Sequence, residues 1–322
     1  MPPSERPVFV VLSARSLGYA RYCLQSLLTN AIEPLSLVLI TDGPADKTAV
    51  VEALETIAPD PRHRWAVHDK AEADARAAEL FANYPNIQQF RQGHPCWRKI
   101  TDPPLFAAEG EMVILDPDVY FPNPFRFETT PPTGLLLMWQ PTNCLFPPST
   151  VRRAFRLGIP MADKVDIGVS HVNNPLDWEW LDWLIGKLGG RDLPDWTAHV
   201  EPIIWAALAM RIGGGYLDPR AWYCWHYTVA KRLRVRLLKE SGLSILRGES
   251  LRDVKCFHAG GNAKWWLVDA INAGMLDPVG PQEQPFPPIP YQEYTRARFE
   301  RKQAARGVAS ALGIMRVVGR PG

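Results

Sequence analysis

Apolar residues fall along this chain in blocks. Short apolar runs recur in the first 115 residues: Pro7-Val-Phe-Val-Val-Leu12, Leu35-Ser-Leu-Val-Leu-Ile40 and the uninterrupted Met112-Val-Ile-Leu115. Runs of this length and composition read as strands buried on both faces. Between them lie segments with helical spacing. Tyr19 to Asn30 places Tyr19, Cys23, Leu27 and Leu28 on an apolar stripe, and Lys47 to Ala58 reads as a second helix. His63 to His68 reads as a third, shorter strand, and the alanine-rich stretch 71–83 as another helix. This strand–helix–strand order predicts an α/β fold, a mostly parallel sheet flanked by helices.

The pattern continues less regularly. Cys96 to Gly110 reads as a helix feeding directly into the Met112 strand. Gly134–Trp139 is a buried strand. Lys164–His171 is another, and Gly168 inside it marks close approach by a second backbone or a ligand. Asn174 as cap and Pro175 as first residue predict a helix to Leu188, ended by Gly189-Gly190. Its Trp180, Trp183 and Leu184 share a face, which reads as core or as a sugar-stacking platform. Val200-Glu201-Pro202 opens a further helix with Ile204, Leu208 and Ile212 on its stripe. Trp222–Tyr227 alternates like a strand, in which His226 reads as structural, and Val254–Phe257 is a short strand. The expected organisation is one domain over 1–279, with a nucleotide-binding half to about 125 and an acceptor half after it. A proline-rich linker and a basic, partly helical C-terminal extension fill 280–322.

Composition narrows the class. The chain has 322 residues, 46% of them apolar, and a formal net charge of +2. A sizeable core is available, and no global charge signal points to nucleic acid. The charge is uneven: Lys231–Lys239 holds five basic residues and no acidic one, and from Arg296 onward seven basic residues face one acidic one. Such segments suit an anionic or membrane-bound acceptor, or a peripheral contact of the C-terminus with acidic lipid; the terminal one reads equally as a solvated end. Five scattered cysteines without a Cys-x-x-Cys read as reduced thiols. With no signal peptide or spanning run, the expected location is cytoplasmic, possible membrane contact being peripheral.

The candidate chemistry lies at strand ends, where ligands bind in parallel sheets. Asp116 and Asp118 follow the Met112 run. Two carboxylates in one small volume call for a cation, and Mn²⁺ or Mg²⁺ takes oxygen ligands while leaving positions for phosphates; a turn is the plainer alternative. Ser13, Arg15 and Asp42 end the first two strands, Asp42 as ribose ligand or as a cap. Arg98 and Lys99 precede the carboxylate strand. Glu201 reads as a helix-dipole partner or as a base or sugar-hydroxyl ligand. No Gly-x-Gly-x-x-Gly and no Walker Gly-Lys-Ser/Thr occurs, which argues against nicotinamide and P-loop sites.

Near the close stands His258-Ala-Gly-Gly261-Asn-Ala-Lys264-Trp-Trp266. With Asp116-Pro-Asp118 upstream, it resembles the GT-A nucleotide-sugar glycosyltransferases. The nearest group is the retaining family 8 that includes glycogenin and lipopolysaccharide galactosyltransferases. That family's signature is His-x-x-Gly-x-x-Lys-Pro-Trp; here the proline is replaced by Trp265. Asp166-Ile-Gly168-Val169 is similar to the family's Asn-x-Gly-Val strand, with Asp for Asn. The resemblance spans roughly residues 7–266. It implies a GT-A fold and a metal held by Asp116, Asp118 and His258. It also implies a donor site including Ser13, Arg15, Asp42, Lys99, Asp116, Gly168, Gly261 and Lys264, with Lys264, Glu201 and Asp166 in catalysis. The implied reaction moves a sugar from a nucleoside diphosphate, UDP most often, to a hydroxyl acceptor with retention, as in bacterial glycan synthesis. The acceptor is open: a glycan, a lipid-linked glycan, a small molecule or a peptide. Competing readings are a nucleotidyltransferase, weakened by the single glycine of Ser13–Gly18, and a non-catalytic sugar-nucleotide scaffold.

Overall fold

The computed structural model describes residues 5–57, 60–107, 110–173, 175–249 and 251–311. Among these residues ten strands form two sheets. The larger contains β1 (Arg6–Val11), β2 (Leu35–Ile40), β3 (Arg64–His68), β4 (Met112–Leu115), β6 (Gly134–Trp139), β7 (Val165–Asn173) and β8 (Gly214–Tyr216), in the order β3-β2-β1-β4-β7-β6-β8. The smaller contains β5 (Val119–Tyr120), β10 (Cys256–His258) and β9 (Trp222–Cys224) in that order. Within the larger sheet only β7 runs against its neighbours. The expected α/β class with a mostly parallel sheet is therefore the observed one.

The apolar runs explain the layers. In β1, Phe9 packs into the core on one face while Val8 and Val10 pack into the core on the other. The helices Leu17–Asn30 and Pro44–Ile57 join β1 to β2 and β2 to β3, as crossovers between parallel strands require. Strand order reverses between β1, which leads outward to β2, and β4 on its other side. Such a switch point opens a crevice at the carboxyl ends of the two strands. Ser13 follows β1 and Asp116 follows β4, so the crevice lies between them.

Several elements depart from their expected form. Cys96–Gly110 is not one helix: a 3₁₀ turn Pro95–Trp97 leads into short helices Arg98–Thr101 and Pro103–Phe106, because Pro103 and Pro104 cannot continue the first. The expectations for Ala58, for the end of this segment near Glu109 and for Asn174 as cap fall outside the described residues. The tryptophan helix runs Trp178–Leu188, with Asp177 capping the Trp180 N–H at 2.9 Å. Its tryptophans divide: Trp178 sits edge-on against Phe81, while Trp183 is 44% exposed. Only Trp222–Cys224 of the expected strand to Tyr227 is extended, since Thr228 caps the next helix, Val229–Leu237. His226 lies off the site, 3.1 Å from Thr142 Oγ1.

Residues 282–294 lie along the sheet. The Gln282 N–H donates to Pro124 O at 2.7 Å, and Ile289 exchanges backbone hydrogen bonds with Tyr216 on β8, the edge strand. They cover an edge that would otherwise expose unpaired groups. The helix Arg296–Ala311 docks through Phe299, which is buried against Phe155 and Tyr294. Arg298 pairs with buried Asp163, and Lys302 donates to Asn143 O at 2.8 Å. The expected basic segment beyond residue 311 lies outside the described residues. No helix among the described residues is long and apolar enough to cross a membrane.

Candidate active site at the strand switch point

Asp116 is delivered by β4 and Asp118 by the turn that follows. The Asp116 N–H donates to Gly168 O at 2.9 Å, tying this turn to β7. The smaller sheet then folds His258 back over it: β10 pairs antiparallel with β5, and Ala259 N–H donates to Asp118 O at 2.9 Å. Nε2 of His258 lies 3.3 Å from Asp118 Oδ1 and 3.8 Å from Asp116 Oδ2. One ligand atom from each of Asp116, Asp118 and His258 lies within 4.8 Å of the others.

Two features of the structure test whether this group fits a divalent cation. The donors are two hard carboxylate oxygens and one imidazole nitrogen, a set suited to Mn²⁺ and tolerable for Mg²⁺. Nδ1 of His258 also meets the carboxylate of Asp166 at 2.7 Å. A second partner of this kind fixes the ring and leaves the other nitrogen for metal. The residues fit the ion. Without it, burial works against a charge on His258, yet Asp166 and Asp118 hold its pKa well above the ordinary histidine value. Burial also opposes charge on Asp118 and Asp166, but His258 holds both below the usual carboxylate range.

A second charged group adjoins the first. Nζ of Lys99 lies 2.6 Å from Asp116 Oδ1 and 3.2 Å from Glu201 Oε2. Glu201 is buried, accepts from Trp205 Nε1 at 3.0 Å, and is pushed up to about 8 by burial despite Lys99. Lys99 is buried too, and Asp116 and Glu201 overcome that burial and hold its pKa well above the lysine value. Asp116 is raised by burial, with Lys99 opposing and Asp118 reinforcing. Two buried carboxylates share one lysine, and burial raises both.

Sequence-distant anchors hold Lys99 and Glu201 together. Arg91 grips Asp102 with two hydrogen bonds at 2.7 and 3.2 Å. Trp97 stacks on Phe90 at 4.7 Å and donates from Nε1 to Thr197 O at 3.1 Å, pinning the approach to the Glu201 helix. The first holds the end of the Lys99 helix, and the second ties its start to the turn before the Glu201 helix.

Lys264 enters from the helix Ala263–Asn272. Its Nζ lies 3.8 Å from Asp118 Oδ2 and 5.1 Å from the centre of the Tyr19 ring. Gly261 has φ +63°, and a Cβ there would meet nothing within 4 Å, so its backbone faces open space. Gly168 is tight instead: a Cβ would lie 2.4 Å from His258 Nδ1. A second backbone or a ligand is expected at this glycine; the close approach is instead made by a side chain, the His258 ring.

Asp116, Asp118, His258, Asp166, Gly168, Lys99, Glu201 and Lys264 thus form one connected group. Ser13, Arg15 and Asp42 stand apart from it at the ends of β1 and β2. Asp42 pairs with Arg98, the residue before Lys99, whose Nη1 is buried with no hydrogen-bond partner. Ser13 O accepts from Ser16 N–H at 2.9 Å in the turn Ala14–Ser16. Cys224 was not expected here. Its thiol lies 3.7 Å from His258 Nδ1, and its ligand atom groups with those of Asp166 and His258 within 4.8 Å. Only the register of β9 against β10, His258 opposite Cys224, reveals this, and nothing local in the sequence encodes it.

No family model matches this sequence. No curated protein matches it either. Among solved structures, apo mouse xyloside xylosyltransferase 1 superposes with a TM-score of 0.52 at 15% identity, covering 81% of this chain and 99% of that one. The mannosyltransferase Ktr4p from S. cerevisiae gives a TM-score of 0.41 at 11% identity, over 64% of this chain and 66% of that one. The glycosyltransferase GlyE from Streptococcus pneumoniae gives 0.42 at 13%, over 82% and 56%. The first of these likenesses carries the fold alone: this chain has a GT-A-like α/β fold.

Proposed function

We propose that this protein is a metal-dependent glycosyltransferase that moves a sugar from a nucleoside-diphosphate sugar to a hydroxyl acceptor. The observation that carries the reading is the convergence of Asp116, Asp118 and an oriented His258 at the strand switch point of this fold. A bound Mn²⁺ or Mg²⁺ supplies Lewis acidity to a diphosphate leaving group. The chain's own residues do the rest. Asp166 fixes the His258 tautomer and ring, and Lys99 neutralises Asp116. Lys264 brings a fixed positive charge to the side where leaving-group charge develops. Open space at Gly261 lets phosphate oxygens approach the backbone. Glu201, held by Trp205 and Lys99 beside Asp116, keeps Lys99 in place.

The finer proposals are a UDP donor, retention of configuration and membership of family 8. They rest on His258-x-x-Gly261-x-x-Lys264 in sequence and on its placement over Asp118 in space. To test the reading, UDP-, GDP-, dTDP- and CDP-sugars are incubated with the protein and candidate acceptors, and nucleoside diphosphate release is followed. Release from one base class that needs both Mn²⁺ and Asp118 supports it. Release that persists without metal and in Asp118→Asn contradicts it.

A further inference from the structure

We propose that Cys224, Asp166 and Nδ1 of His258 form a second metal site, selective for a thiophilic divalent cation such as Zn²⁺, whose occupation excludes the hard ion from Asp116 and Asp118. Separate strands bring its ligands together. Asp166 lies on β7, and β9 pairs with β10 so that Cys224 stands opposite His258. The Cys224 thiol is 3.7 Å from His258 Nδ1, and Asp166 Oδ1 is 2.7 Å from the same nitrogen. One ligand atom from each of the three lies within 4.8 Å of the others. Cys224 and His258 are buried, and the Asp166 side chain is 13% exposed, so this is no loose group of surface acids.

Geometry and donor type both suit such an ion. Tetrahedral Zn²⁺, with bonds of about 2.3 Å to sulfur and about 2.1 Å to nitrogen and oxygen, sets its N···S edge at about 3.6 Å and its N···O edge at about 3.4 Å. The first edge is already present. The second requires Asp166 to draw back slightly from its 2.7 Å contact with the ring. A fourth position is left for water. A thiolate selects Zn²⁺ over Mn²⁺ and Mg²⁺, which prefer oxygen. Burial keeps the free thiol protonated, and a bound ion displaces that proton. A Cβ on Gly168 would lie 2.4 Å from Nδ1, so glycine at this place leaves the nitrogen clear.

The exclusion follows from the imidazole. A neutral ring carries its lone pair on one nitrogen and its proton on the other. With the proton on Nδ1, donated to Asp166, the lone pair of Nε2 faces Asp118 and Asp116 at 3.3 and 3.8 Å and serves the hard ion. With a thiophilic ion on Nδ1, the proton sits on Nε2 and points at Asp118. Each ion therefore selects the tautomer that shuts out the other. Zn²⁺ capture is read without nucleotide or sugar, so its failure leaves the transferase reading untouched.

The test titrates the whole metal-free protein with Co²⁺, a coloured substitute for Zn²⁺. The proposal predicts a near-ultraviolet thiolate-to-Co²⁺ charge-transfer band that Cys224→Ser removes. It also predicts that Zn²⁺ added to the Mn²⁺-loaded wild type raises the free-ion Mn²⁺ EPR signal. In Cys224→Ser the Zn²⁺ concentration needed for that release rises by about tenfold or more. An unchanged melt confirms folding, and Cys224→Ala serves if the serine variant does not fold. X-ray absorption of the Zn²⁺-loaded wild type needs no variant and is expected to show one sulfur at about 2.3 Å. The proposal is overturned if the wild type gives no thiolate band or if the band survives in the Cys224 variant. It is equally overturned if Zn²⁺ releases Mn²⁺ from both proteins alike, or if bound Zn²⁺ has only nitrogen and oxygen neighbours. Mn²⁺ that stays bound while the thiolate band develops would overturn the exclusion.

Discussion

A methyl group on Gly168 would lie 2.4 Å from Nδ1 of His258. Gly168→Ala must therefore displace the ring or the strand. The expected outcome is a folded protein whose Mn²⁺ affinity, read from the free-ion EPR signal, falls by about tenfold or more. Asp166→Asn acts on the same ring at the same nitrogen, Nδ1, with an expected loss of about 10- to 100-fold by the same measurement. Lys264 sits differently: it touches Asp118 only at 3.8 Å and packs beside Tyr19. Lys264→Ala is expected to leave the melt nearly unchanged and to lower turnover by about 10²–10³. Unchanged turnover would remove Lys264 from the mechanism. Asp116, Asp118, His258 and Lys264 were legible because their spacings are local motifs. Cys224 and the Trp205 hydrogen bond to Glu201 were not, because a strand register and a helix turn create them.

At the scale of elements, β1, β4 and β6 were readable because each is an apolar run largely buried on both faces. The Cys96–Gly110 segment misled because its apolar content fits a helix while Pro103 and Pro104 break one. The docking of Arg296–Ala311 was also hidden. Its charged residues are mostly basic, and one residue, Phe299, supplies the buried anchor. Phe299→Ala removes a ring held between Phe155 and Tyr294. The expected cost is about 3 kcal/mol or more in urea unfolding. A change below about 1 kcal/mol would mean that the helix adds little to the folded domain.

For the whole molecule, acid stability follows from β7. His171 is buried 3.2 Å from Thr130 Oγ1, and burial, with Arg6 and Lys255, lowers its pKa to about 3. In the unfolded chain histidine titrates near 6.5. Above that value neither state binds the proton. Below it the unfolded state does and the folded state does not, so stability falls between about 6.5 and 3, by at most about 1.4 kcal/mol per pH unit from this residue. His171→Phe is expected to flatten the loss between pH 7 and 4.5 in chemical unfolding. An equally steep loss in the variant would place the acid sensitivity elsewhere.

The central claim concerns the whole crevice, and thermal melting with UDP, GDP, dTDP and CDP, each with and without Mn²⁺, tests it most directly. A ligand at 100 times its dissociation constant adds about 2.7 kcal/mol. The account predicts that one nucleotide raises the melting temperature only with Mn²⁺ present, and that Asp118→Asn abolishes the rise. A melt indifferent to every nucleotide, with metal or without, would contradict it.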